Sequence, residues 1–201
     1  MARTQAADYA HRRDAIVEKA AKLYAERGFL GASIADLANA CKTSKSLVYH
    51  YYPSKEDILF DVMHSHVAAL LKTAETIMAQ PLSAVEKLRA ITHEFMKHYV
   101  GAADRQKVLL NELGHLPKPR RAVIVGIQHK LIETVQALLA EIRPELDERS
   151  TLKLPAAMLY FGMINWTHTW MDPSGAAKPA KIAELAANLF LDGILDADIP
   201  R

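Results

Sequence analysis

A chain of 201 residues, half of them apolar, is long enough to bury a sizeable core, and a formal net charge of +2 is too mild for a bulk polycation. Any contact with nucleic acid must therefore come from a local patch rather than from overall charge. The single cysteine, Cys41, excludes an internal disulfide, and the opening MARTQAADYAHRRD lacks the apolar run of a secretion signal, so the expected setting is a reducing cytoplasm.

Apolar residues recur at helical spacing, as in Ile16, Ala20, Leu23 and Tyr24 or Leu131, Val135, Leu138 and Leu139, and sustained period-two alternation is absent. The chain is expected to be all-α. Glycines and prolines, among them Gly28, Gly31, Pro53, Pro81, Gly101, Pro144, Pro155, Pro173 and Pro179, fall at plausible helix ends. They predict three short helices over residues 10–27, 33–41 and 44–51, then longer ones over 55–79, 83–100, 104–114, 120–142, 152–171 and 179–195. The change of helix length near Pro53 suggests two domains, 1–54 and 55–201. No window approaches the roughly 18 uninterrupted apolar residues of a membrane span, and no membrane partner is expected.

Ser33 precedes the stripe Ile34, Leu37, Ala38 and Cys41, with Asp36 placed as in a capping box. The link Lys42-Thr43 then reaches Ser44, a good N-cap for a second short helix, KSLVYHYY. Two short helices on so tight a turn form a helix-turn-helix. Steps of about 100° from Lys45 put Tyr49, Ser46 and His50 on one side and Leu47, Val48 and Tyr51 on the other. From Lys42 to Ser54 there is no acidic residue. A solvated face would more usually carry Glu with Lys, whereas hydroxyls and lysines suit phosphate oxygens, and Tyr and His suit base edges and thymine methyls. Lys55 opens the next helix, where free backbone N–H groups favour an anion.

The stretch AAKLYAERGFLGASIADLANACKTSKSLVYHYYPSKEDIL resembles the DNA-binding region of the tetracycline-repressor (TetR) family over about residues 10–60. That resemblance implies an N-terminal three-helix DNA-binding module followed by a larger helical domain for ligand binding and dimerisation. It also implies that Ser33, Thr43, Ser44, Lys45, Ser46, Tyr49, His50, Tyr51 and Lys55 face double-stranded operator DNA. Lys55 and Tyr51 would lie on phosphates, and Thr43, Lys45, Ser46 and His50 nearest the bases. The helical projection places Tyr51 toward the core instead, so its side stays open. Tyr52, where the family usually has Phe, is expected to pack inward with its hydroxyl reaching the surface.

The last two long helices are rich in Ala, Leu, Met and Phe, more apolar than a solvent-facing pair should be. Ala156, Ala157, Leu159, Tyr160, Gly162, Ala183, Ala186, Ala187 and Phe190 would let two such pairs pack as a four-helix bundle in a homodimer, or else would cover the core of one chain. A two-fold dimer predicts an inverted-repeat operator.

The segment FGMINWTHTWMDPSG carries Trp166 and Trp170 four apart, with Asn165 beside them; large aromatics here read either as core filler or as a ligand wall. It resembles the terminal helices of the TetR subgroup that senses acyl-coenzyme A thioesters. That resemblance implies an acyl tunnel drawn from Phe95, Tyr99, Leu110, Leu113, Met163, Trp166 and Trp170, with Asn165 as a further ligand-binding candidate and Arg120 and Arg121 on the coenzyme phosphates. A basic run in a proline loop is more usually solvated surface.

His64 with His66 and His93 with His98 lack the i, i+4 spacing that chelates a metal from one helix face, so no metal site is expected. No nucleophile elbow, phosphate-binding glycine loop or paired-carboxylate motif points to catalysis. The expectation is therefore a homodimeric repressor without a catalytic site or cofactor, released from its operator by a small effector, most simply an acyl-coenzyme A. The competing readings are a regulator that answers drugs or other small molecules and a helical dimeric adaptor that binds no DNA.

Overall fold

Nine α-helices and no strand are found among the described residues of this computed structural model, which are 2–147, 149–172 and 174–198, with the side chains of 2–8 left aside. The all-α expectation holds. The helices are α1 (Ala2–Gly31), α2 (Ile34–Ala40), α3 (Lys45–Tyr51), α4 (Lys55–Met78), α5 (Ala84–Gly101), α6 (Ala103–Glu112), α7 (Lys118–Ile142), α8 (Lys153–Asn165) and α9 (Pro179–Asp196). Packing divides them into two units, Met1–Val67 with Asp104–Val125, and Ala68–Ala103 with Gly126–Arg201. The first turns of α4, α6 from Asp104 onward and the start of α7 thus pack with the N-terminal helices, although the change of helix length lies at Pro53.

In the first unit the inner face of α1, Ile16, Ala20, Leu23 and Tyr24, is buried as its spacing predicts. Gly28 interrupts the helix with φ +73°, a conformation that any Cβ would strain, and the turn it makes buries Phe29. Ser33 and Asp36 form the expected capping box: Asp36 N–H donates to Ser33 Oγ at 3.1 Å, and Ser33 N–H donates to the Asp36 carboxylate at 2.9 Å. Ser44 caps α3, accepting from Leu47 N–H at 3.1 Å. Leu37 and Val48, fully buried, lock the two short helices to this core, each contributing about 1.5–3 kcal/mol of burial.

In the second unit α5 packs along α9, and Leu88, Ile91, Phe95, Leu138, Leu139, Ala157 and Tyr160 fill the core. The Arg143 guanidinium donates to the carbonyls of Ile194, Leu195 and Ala197, satisfying the acceptors that the end of α9 leaves open. α7 is long and apolar enough to cross a bilayer by length and composition, but Leu131, Val135, Leu138 and Leu139 lie in this core instead.

Two expectations change here. Ala156, Ala157, Tyr160, Ala183, Ala186 and Ala187 are buried within their own unit, because they lie on the inner faces of α8 and α9. The faces left outward carry Leu154, Met158 and Leu159 on α8 and Leu185 and Leu189 on α9. The helix expected over 152–171 becomes α8 followed by a 3-10 segment, Trp166–Thr169; Pro173, expected to help end it, lies outside the described residues.

Candidate nucleic-acid interface

α2 and α3 are joined by a turn of four residues, Cys41 to Ser44, held by backbone hydrogen bonds from Lys42 N–H to Asn39 O at 3.0 Å and Thr43 N–H to Ala38 O at 2.9 Å. On α3, Val48 points inward while Lys45, Ser46, Tyr49 and His50 are exposed, as the helical projection expects. Ser33 and Ser44 are also exposed and Thr43 is half-buried. These residues share one unit and make a surface without a carboxylate from Lys42 to Ser54.

Tyr51 is half-buried and belongs to an aromatic cluster. Its ring lies 4.7 Å from that of Tyr9 and meets His50 edge-on at 5.2 Å, which fastens the N-terminal part of α1 to the end of α3. Tyr52 is buried, as expected, and its hydroxyl donates to the part-buried Asp61 at 2.8 Å, while Arg13 pairs with the same carboxylate and lies 4.7 Å over the Tyr52 ring. Burial, foremost, pushes the Tyr52 phenol well above its ordinary pKa. Tyr9, Arg13 and Asp61 went unread in the sequence, because nothing in their spacing links residue 9 or 13 to residue 51 or 61.

Lys55 is held from within. Its ammonium donates to the carbonyl of Phe29 and sits 4.0 Å over the Phe29 ring, and burial lowers its pKa. The same neighbourhood stacks His115 on Phe29 at 5.4 Å and pairs His115 with Glu112 at 3.3 Å. The resemblance assigned Lys55 to a phosphate; the carbonyl exposed by the Gly28 bend occupies its ammonium in this structure.

The candidate effector residues divide between the units. Phe95 and Tyr99 are buried in the second core with Met163 packed against it, and Thr92 Oγ1 and the Tyr160 hydroxyl share a hydrogen bond of 3.0 Å nearby. Burial raises the Tyr99 and Tyr160 phenols well above their ordinary pKa. Trp166 and Trp170, 66% and 56% exposed, stand outside that core, since the 3-10 segment turns them away from the inner face of α8. Asn165 is half-buried, and its carbonyl accepts from His168 Nδ1 at 2.7 Å. Leu110, Leu113, Arg120 and Arg121 belong to the first unit, where Arg120 pairs with Asp57 and lies 5.1 Å over the Phe60 ring, while Arg121 is exposed.

A short capped helix pair presenting an acid-free, hydroxyl- and lysine-bearing helix defines a helix-turn-helix DNA-binding protein. Comparison with known proteins gives the particular family. Residues 16–62 match the family model for bacterial regulatory proteins of the tetR family, and residues 81–194 match the tetracyclin repressor-like C-terminal domain. The HTH-type transcriptional repressor KstR2 of Rhodococcus jostii is 22% identical over 185 residues, 91% of each chain. A TetR-family transcriptional regulator from Bordetella parapertussis is 38% identical, with a TM-score of 0.87, over 92% of this chain and 97% of its own. AibR, solved in complex with isovaleryl coenzyme A and operator DNA, is 25% identical, with a TM-score of 0.79, over 89% of this chain and 97% of its own. The chain belongs to the TetR family and is a DNA-binding transcriptional regulator.

Proposed function

We propose that the protein is a homodimeric repressor, acting in the cytoplasm on an inverted-repeat operator and released from it by an acyl-coenzyme A thioester. The observation that carries the DNA part is the exposed, acid-free face of α3, with Lys45, Ser46, Tyr49 and His50 side by side. These residues suit bases and phosphates of a major groove, with Ser33, Thr43, Ser44 and Tyr51 along its edge. The outward leucines and methionine of α8 and α9 support the dimer: an apolar surface of this kind on two adjacent helices suits a second copy.

The thioester reading rests on similarity to AibR, whose solved complex holds isovaleryl coenzyme A. Phe95, Tyr99 and Met163 supply apolar and aromatic groups suited to an acyl chain. Release follows if the thioester binds the DNA-incompetent state better, by about 1–3 kcal/mol. The test is a mobility shift with DNA from around the protein's own gene, challenged with short, branched, long-chain and aromatic thioesters, the matching free acids and unrelated drugs. Release by thioesters alone supports the reading. Release by another ligand class alone overturns the effector assignment and leaves the repressor assignment standing, and absence of sequence-selective retention overturns both.

A further inference from the structure

Along α1, Arg12, Ile16 and Lys19 lie at i, i+4 and i+7 and so share one face. Between that face and the helix-turn-helix is a cleft of about 360 Å³. Ile16, buried, forms part of its floor. Its rim carries three cations, Arg12 and Lys19 from α1 and Lys42 from the turn, and it continues onto Thr43, Leu47 and Tyr51. Among the described residues, no carboxylate lines it. Lys19 approaches Cys41 closely enough to act on the thiol, opposing the burial that raises its pKa.

Lys42 gives a second, independent observation. The hydrogen bonds from Thr43 N–H to Ala38 O and from Lys42 N–H to Asn39 O are those of a Schellman motif ending α2. That motif puts its next-to-last residue in the left-handed region, where glycine fits without strain. Here Lys42 occupies it, at φ +52°. Among the described residues, it is the single non-glycine residue at positive φ. A strained backbone kept at a cation, beside a surface that meets DNA, points to a use for the cation.

We propose that this cleft seats a phosphate of the DNA backbone beside the groove that α3 reads, with Arg12, Lys19 and Lys42 as its ligands. Thr43 and Tyr51 belong both to the cleft and to the DNA-facing set, so a strand crossing the turn passes over its mouth. The guanidinium of Arg12 can take two oxygens at once, while the two ammonium groups act as point charges.

The full-length protein is titrated with operator DNA by fluorescence anisotropy at salt concentrations from 50 to 200 mM, and its variants are melted separately. Lys42→Gly is expected to raise the melting temperature by relieving the turn, yet to weaken DNA binding. The slope of log affinity against log salt should shrink by about 0.9. Arg12→Gln and Lys19→Gln should each lower the slope by a similar amount without the gain in melting temperature. All three should lose affinity for operator and random DNA by the same factor, because a phosphate carries no sequence information. A Lys42→Gly protein that melts higher and keeps the wild-type slope overturns the proposal, as do Arg12→Gln and Lys19→Gln proteins with unchanged slopes. A loss confined to operator DNA also overturns it, since that would mark a base contact.

Discussion

The ammonium of Lys55 caps the carbonyl of Phe29, tying the first residue of α4 to the bend that Gly28 puts at the end of α1. A charged donor on that carbonyl, with the Phe29 ring 4.0 Å beneath it, holds the helix-turn-helix against the helix that follows it. Lys55→Met keeps the length of the side chain and removes the charge. It is expected to cost about 1–2 kcal/mol in chemical denaturation, from the lost hydrogen bond and cation–π contact of a half-exposed group. The salt slope of operator binding should stay at the wild-type value; a slope lower by about 0.9 would instead return Lys55 to a phosphate.

Acid should loosen the capping boxes. The Asp36 carboxylate accepts from the Ser33 hydroxyl and backbone N–H, and with Arg27 3.5 Å away its pKa falls below the ordinary value; Glu86 is lowered in the same way by Ser83. A carboxylate depressed in the folded state contributes stability that is present above its unfolded pKa, about 4, and is lost as pH falls through the lower folded value. Asp36→Asn should therefore melt below wild type at pH 7, and the gap should close as the pH is taken toward 3. Thermal melts at half-unit pH intervals check this; a gap independent of pH would show that the charge on Asp36 plays no part.

The capping residues were readable because a cap is a local pattern: Ser33 with Asp36, and Ser44 ahead of Leu47, need only three residues of chain. The side of α3 was readable for Val48, Tyr49 and His50 from helical period alone. Tyr51 was not, since its neighbour Tyr9 lies 42 residues away in sequence and in another helix. Nor did period distinguish the inner from the outer face of α8, where apolar residues run all round the helix: Ala157 and Tyr160 are buried while Met158 and Leu159 are exposed. The left-handed turn at Lys42 was hidden for a different reason, because the expected glycine is missing there.

His66 and Gln106, 2% and 1% exposed, join α4 to α6 through a hydrogen bond of 2.7 Å inside the first unit. Gln106→Leu keeps the bulk and removes one side-chain partner of the imidazole. A buried polar group that loses a partner costs about 1–3 kcal/mol, so the denaturation midpoint should fall accordingly. Gln106→Glu keeps an acceptor oxygen for the imidazole N–H and should restore part of the loss. A Leu variant as stable as wild type would show that this hydrogen bond contributes nothing net.

The outward faces of α8 and α9 set the last expectation. Leu159 and Leu189 are 72% and 62% exposed, with Met158 next to the first in sequence and Leu185, also exposed, one helical turn before the second. If a second copy covers this surface, a Glu at either position would bury an unpaired carboxylate, which no interface core tolerates without loss. Leu159→Glu and Leu189→Glu are expected to remain helical by circular dichroism, because neither side chain enters its own core, and to run as monomers in light scattering. Their affinity for the full inverted repeat should fall by about a hundredfold or more, the gain that a second linked site supplies, while affinity for an isolated half-site stays at the wild-type level. Variants that remain dimeric would put the interface on another face of the second unit.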